Sequence, residues 1–200
     1  MTSKTPQTLL MKARRLPLVA ILRGLTPANA AAVGLALMES GFRIIEVPLN
    51  RPSALQCIEI LSRELNDEAL VGGGTMLTLD DVQAVHDAGG RLAVSPNCDT
   101  RVIARAVDLG MLSVPGIATP TEAFNGIQAG AHALKNFPAE MIGQRGLKAL
   151  KSVLPTHIEL WPVGSISPES LRPWMAAGAT GFGIGSQLFT PNTCAADVLT

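Results

Sequence analysis

The sequence predicts a (β/α)8 TIM barrel, an α/β fold, as a single domain over residues 1–200 with a short N-terminal helix. Three observations predict it. Eight short apolar runs recur along the chain. Amphipathic stretches of helical length separate them. Glycines stand one or two residues before several of the runs, where a helix commonly ends in a left-handed residue. Strands alternating with helices mean parallel strands joined by helical crossovers, and eight such units suit a closed barrel. An open doubly wound sheet is the alternative the same rhythm allows.

The elements follow in order. Residues 1–38 hold no Asp or Glu and carry Lys4, Lys12, Arg14, Arg15 and Arg23. Transit peptides share that composition. The strand rhythm from Leu16 limits any removable segment to the first fifteen residues. We read TPQTLLMKARR (5–15) as a helix covering one end of the fold. The runs are LPLVAIL (16–22), FRIIEV (42–47), ALVGGG (69–74), RLAVS (91–95), MLSV (111–114), AHAL (131–134), HIELWPV (157–163) and TGFGI (180–184). Thr26-Pro27 and Ser167-Pro168 place a cap residue before a proline at the first helical position. Thr119-Pro120-Thr121-Glu122 adds a capping box. Gly41, Gly89, Gly110, Gly130 and Gly178 mark helix ends. After Ser186 little chain is left, so the expectation is either a chain cut short or a reduced eighth helix.

Composition excludes several classes. Sixteen basic and sixteen acidic residues cancel, which gives no electrostatic case for nucleic acid or an acidic membrane. No run approaches eighteen apolar residues, so no membrane span is expected. With 47% hydrophobic and 16% charged residues, the chain has material for a large core and a subunit interface. Cys57, Cys98 and Cys194 are odd in number and widely spaced. They read as reduced cytoplasmic thiols, without disulfide or metal-ligand spacing. His86, His132 and His157 are isolated and read as structural or surface residues. No metal and no cofactor is expected, and Gly72-Gly73-Gly74 lacks the spacing of a dinucleotide fingerprint.

In this barrel, chemistry belongs at the C-terminal strand ends. Those positions are Arg23, Glu46, Thr75, Pro96-Asn97, Pro115-Gly116, Lys135, Gly164-Ser165 and Gly185-Ser186, spaced 19 to 29 residues apart. Each has an ordinary reading alone. A lone lysine is usually solvated, Glu46 and Arg23 could be a structural ion pair, Thr75 could cap a helix, and prolines end strands. Converging on one mouth, the lysine, carboxylate and arginine can do carbonyl chemistry. Loss of water disfavours an ammonium ion, and a nearby cation adds to that, while a close carboxylate opposes it. A free amine attacks a ketone to give an iminium ion, which draws electrons from the adjacent carbon–carbon bond. A carboxylate then moves protons. Alternation puts Ala131, Ala133, Lys135 and Phe137 on one face, so the alanines leave inward space beneath the lysine. The loops VGSIS and GIGS after strands 7 and 8 stand where this fold commonly binds phosphate through backbone N–H groups.

ILRGLTP (21–27), EVPLN (46–50), GGGT (72–75), SPN (95–97), VPG (114–116), ATPTEA (118–123), LKNFP (134–138), VGSISPE (163–169) and GIGS (183–186) together resemble the class I 2-keto-3-deoxy-6-phospho-sugar-acid aldolases. The resemblance runs from about residue 16 to 190. It implies a (β/α)8 barrel, usually a homotrimer, that cuts a phosphorylated 2-keto-3-deoxy acid into pyruvate and glyceraldehyde 3-phosphate. Carried over, Lys135 matches the Schiff-base lysine, Glu46 the general acid/base and Arg23 the arginine that orients the pyruvate-like part. Thr75 binds that part, Pro96 lies among the substrate-binding positions, and Ser165, Gly185 and Ser186 hold phosphate. Asn50 and Val163 stand where gluconate-type members have arginine and threonine, and both look like the galactonate type. A threonine hydroxyl can hold a substrate hydroxyl of one handedness, whereas valine cannot. Two departures stand out. Ser165 replaces the second of two glycines, adding a phosphate hydrogen bond or crowding the loop. Asn136 replaces an apolar residue, bonding a neighbouring strand or perturbing the site.

The leading expectation is a lyase. Gluconate-type or 4-hydroxy-2-oxoglutarate cleavage is the alternative within the family. A phosphate-binding barrel isomerase and a catalytically silent binding protein are the alternatives outside it.

Overall fold

In the computed structural model, which describes residues 8, 10, 11 and 16–199, strands and helices alternate. The chain runs β1 (Leu18–Ile21), α1 (Pro27–Glu39), β2 (Ile44–Pro48), α2 (Ala54–Leu65), β3 (Leu70–Gly74), α3 (Leu79–Asp87), β4 (Leu92–Val94), α4 (Thr100–Asp108) and β5 (Leu112–Val114). It continues through β6 (Gly116–Ile117), α5 (Pro120–Gln128), β7 (Ala133–Asn136), α6 (Ala139–Val153), β8 (Glu159–Pro162), α7 (Leu171–Ala177), β9 (Phe182–Ile184) and α8 (Ala195–Val198). The helix expected over residues 5–15 lies mostly outside the described residues. Thr8, Leu10 and Met11, which are described, are helical. Among the described residues, no helix is long and apolar enough to cross a membrane.

The fold is an α/β fold built on a curled parallel sheet. One sheet has the order β5-β4-β3-β2-β1-β9 and a second the order β6-β7-β8. The division falls at Pro115, inside what the sequence reads as the end of a single fifth strand. Proline has no N–H to donate to a ladder. The chain therefore pairs with β4 before Pro115 and with β7 after it. Hydrogen bonds still tie the sheets there. Lys135 N–H donates to the Pro115 carbonyl at 2.8 Å and His132 N–H to the Ser113 carbonyl at 3.0 Å. The Ser113 N–H in turn donates to His132 Nδ1 at 3.1 Å, so the imidazole is structural. Burial pushes that imidazole below its ordinary pKa, in keeping with a neutral ring that accepts this bond. At the other edge Val163 and Gly183 form a parallel bridge, and Thr180 N–H donates to the Leu160 carbonyl at 3.0 Å.

Strands buried on both faces read as apolar runs, which is why the pattern was visible. Their inward residues Val19, Ile21, Ile44, Leu70, Leu92, Leu112, Ala133 and Trp161 meet in one inner cluster, joined by Leu10. Outward residues pack against the helices in two further clusters. Alternation fails at Ala131. The strand begins at Ala133, and Ala131 packs in an outer cluster with Leu134, not beneath the lysine.

The caps are largely as expected. Thr119 Oγ1 accepts from Glu122 N–H at 3.3 Å, and the Glu122 carboxylate accepts from Thr119 N–H at 2.8 Å. Thr26 stands at the start of α1 with Pro27 after it, but its side chain makes no capping bond. Ser167 opens a short 3₁₀ turn, Pro168–Ser170, ahead of α7. Gly41, Gly89, Gly110, Gly130 and Gly178 all have positive φ, between 69° and 109°. The last helix is reduced to four residues, and its Val198 carbonyl accepts from Ser40 Oγ at 3.3 Å.

Candidate active site

Glu46 and Lys135 lie on the inner face of different strands, Glu46 3% and Lys135 7% exposed. Glu46 is opposite Ile21 on one side and Gly72 on the other. Lys135 is opposite Gly116 and Trp161. Its ammonium lies 4.7 Å from the centroid of the Phe137 ring, within range of a cation–π contact.

Gly74 of β3 creates the room for Glu46, and Gly72 lets the neighbouring strand approach. A Cβ at Gly74 would fall on Glu46 Oε1, and one at Gly72 would fall on the Leu92 carbonyl. Gly74 thus acts as a berth for the buried carboxylate, a role that depends on strand register. Burial pushes the Glu46 carboxyl above its ordinary value, and the charges of Lys135 and Arg23 oppose that rise. Both cations are therefore close enough to act on Glu46.

Below this pair the interior is nearly full. A void of about 10 Å³ is bordered by Val19, Glu46, Val94, Val114, Lys135, Trp161, Val163 and Gly183. The inward space expected beneath the lysine is not there.

Above it a cavity of about 470 Å³ opens, and Arg23, Phe137, Val163, Gly164, Ser165, Gly185 and Ser186 line it. Arg23, Ser165 and Ser186 are exposed, in contrast to Lys135 and Glu46. Val163 and Gly183 border both the cavity and the void. A Cβ at Gly183 would stand 2.6 Å from Val163 Cγ2, so glycine there is what admits the valine. The start of α6 is held at this rim, with Ala139 N–H donating to the Val163 carbonyl at 3.0 Å.

Two of the residues expected at the site hold backbone conformations that L-residues rarely adopt. Thr75 has φ 57° and Ser165 φ 49°. Each costs about 1–3 kcal/mol, held in place by its surroundings. Thr75 and Pro96 stand half-buried just past β3 and β4 and line neither space. Asn136 is fully buried, and neither Oδ1 nor Nδ2 has a hydrogen-bond partner. Its side chain makes no bond to a neighbouring strand, and nothing in the structure explains it.

Sequence reading missed three contributors. The berth at Gly74 follows from register. Gln187, Thr190 and Pro191 reach the cavity from the loop after β9. Trp161 could have been found from the alternation in HIELWPV, which puts it on the face of Glu159 and Val163.

Comparison with known proteins gives consistent results. Residues 9–198 match the family described as KDPG and KHG aldolase. A 2-dehydro-3-deoxy-6-phosphogalactonate aldolase of Escherichia coli K12 is 46% identical over 175 residues, covering 88% of this chain and 85% of that protein. A KHG/KDPG aldolase of the same strain is 33% identical over 150 residues, covering 74% of this chain and 69% of that protein. A solved structure described as native KDPGal superimposes with a TM-score of 0.90 at 44% identity, covering 92% of this chain and 90% of that one.

Proposed function

The chain belongs to the KDPG and KHG aldolase family, and from that premise we propose that it is a class I lyase cleaving 2-dehydro-3-deoxy-6-phosphogalactonate to pyruvate and D-glyceraldehyde 3-phosphate. One observation carries the mechanism. A lysine and a carboxylate from different strands are buried around one small void, and Val163 and Gly183, which border that void, also line a solvent-open cavity.

In this reading the Lys135 amine attacks the C2 ketone and water leaves, giving an iminium ion. Glu46 takes the C4 hydroxyl proton, directly or through water. The C3–C4 bond breaks, its electrons flow into the iminium, and the aldehyde departs. Glu46 returns a proton to C3, and hydrolysis frees pyruvate and the amine. Arg23 and Thr75 orient the carboxylate end, with Pro96 beside them. Ser165, Gly185 and Ser186 hold the phosphate at the cavity rim, where backbone N–H groups suit an anion.

Three features support the galactonate substrate. They are the higher identity to the phosphogalactonate aldolase, Asn50, and an apolar Val163 at the rim. Rates on the two epimeric acids test the choice, and faster cleavage of the gluco epimer sinks it. The broader reading is tested by borohydride reduction with pyruvate. An adduct on Lys135 is expected. No adduct, or one on Lys148 or Lys151, overturns the assignment.

The two sheets are read as the wall of one (β/α)8 barrel forming a single domain over 1–200, supported by the joins at Pro115 and Val163. The same reading makes it a cytoplasmic homotrimer. Its three cysteines are free, as a reducing compartment allows. Sedimentation at three times the 20.9 kDa chain mass is the expected result, and a monomer sinks the trimer.

A further inference from the structure

Trp161 is 3% exposed and lies on the inner face of β8, opposite Lys135. Its indole is fixed on two sides. Nε1–H donates to Glu159 Oε2 at 3.0 Å. At Gly181 an added Cβ would stand 2.8 Å from Nε1, so the ring lies against bare backbone there. The void it shares with Lys135 and Glu46 is about 10 Å³. That is at the lower limit of roughly 10–15 Å³ for a single water, and the surface the void exposes is apolar. The other walls are Val19, Val94, Val114, Val163 and Gly183, which supply no polar side chain.

We propose that Trp161 is a positioning residue for the lyase reaction: it seals the underside of the Lys135–Glu46 pair against water and holds the lysine stem upright beneath the substrate. This rests on the proposed function, because the pair it supports is that reaction's nucleophile and acid/base.

The geometry makes the consequence specific. Glu46 is faced by Lys135 from β7 and by Arg23 from the end of β1. The β3 side offers glycines and then Thr75, which carry no charge. The nearest further carboxylate on β8, Glu159, is engaged by the indole N–H. With those charges unchanged, the remaining influence on Glu46 is its burial, which is also what raises its proton affinity. A smaller residue at 161 opens a cavity next to two ionisable groups, roomy and polar enough for water. Glu46 then titrates at lower pH, and the lysine stem gains freedom.

The test compares wild type, Trp161→Phe, Trp161→Leu and Gly181→Ala. Gly181→Ala displaces the indole from the opposite side. Pyruvate with borohydride establishes that wild type forms its adduct on Lys135; failure there overturns the proposed function itself. Given the adduct, Trp161→Leu is expected to lower kcat on the order of 10²-fold, as misplacement of a reacting group does. Its pH profile for kcat is expected to move to lower pH, with KM nearly unchanged. Trp161→Phe, which keeps an aromatic plug, restores most of both. Gly181→Ala moves the profile in the same direction as Trp161→Leu, and it decides the matter where the leucine variant does not fold. A wild-type adduct together with an unshifted pH profile in Gly181→Ala or Trp161→Leu overturns the inference.

Discussion

The floor and the rim of the site are built on opposite physical terms. The floor is closed: Glu46 and Lys135 are buried, the other residues around their void are apolar, and little space is left there. The rim is wet: Arg23, Ser165 and Ser186 are exposed around an open cavity. The difference matches what the proposed reaction asks of each. In the proposed reaction, moving protons gains from a carboxylate whose proton affinity burial has raised. Capturing a doubly charged phosphate needs donors that a hydrated anion can reach. The floor therefore spends folding stability on a buried carboxylate, while the rim stores its strain in backbone dihedrals.

Substitutions at the two levels should separate cleanly. The largest effect is expected at the floor. Lys135→Ala should abolish the borohydride-trapped pyruvate adduct and cleavage with it, as peptide mass spectrometry and a pyruvate assay will report. Next come the carboxylate and its berth. Glu46→Gln should permit the adduct but slow cleavage by roughly 10²–10⁴-fold. Gly74→Ala should resemble it, because the new methyl claims the position of Glu46 Oε1. Near wild-type kcat in Gly74→Ala breaks the idea of a berth.

Glu46→Gln also carries a stability signature. The folded-state pKa of Glu46 is raised by burial above its ordinary 4.5. The folded state then holds a proton that the unfolded state has lost, so the group's contribution is present below the unfolded pKa and fades as pH rises through the folded one. The Tm advantage of Glu46→Gln over wild type should thus grow from pH 4 toward pH 8. A constant difference contradicts it.

At the rim the effects are smaller and change sign. Ser165→Gly removes a left-handed serine and should raise stability by about 1 kcal/mol, or about 2–4 °C in Tm. It should also raise KM for the phosphorylated acid roughly tenfold, and leave cleavage of unphosphorylated 4-hydroxy-2-oxoglutarate unchanged, because in its proposed role the hydroxyl serves only the phosphate. Equal changes for both substrates remove Ser165 from the phosphate role. The smallest effect belongs to Val163→Thr, expected to move kcat/KM toward the gluco epimer by about tenfold. An unchanged epimer ratio means Val163 does not read that hydroxyl.

The strand rhythm was legible because parallel strands covered on both faces carry unbroken apolar runs, and helix ends marked by glycine separate them. Lys135, Glu46 and Arg23 were legible as strand-end residues, and the structure brings them together. What escaped depends on register and distance. Gly74 looks like any turn glycine until Glu46 is laid beside it. Pro115 was visible, but its splitting of a strand between two sheets follows from which neighbour each half meets. Ala131 was misassigned because the strand starts two residues later than the apolar run. Asn136 was flagged as a departure, and its unpartnered amide in a packed layer keeps it one.

The pairing of β1 with β9 has a consequence for how the molecule is made. Leu18 lies beside Phe182 and Ala20 beside Ile184. β1 finds β2 early, but its other edge stays an unpaired apolar template until residues 182–184 emerge. Contacts so distant in sequence form slowly, and partly synthesised chains expose that edge to one another. The strand leading to Arg23 is thus among the first made and the last enclosed, and the hazard of aggregation during synthesis falls on the residues that later wall the site.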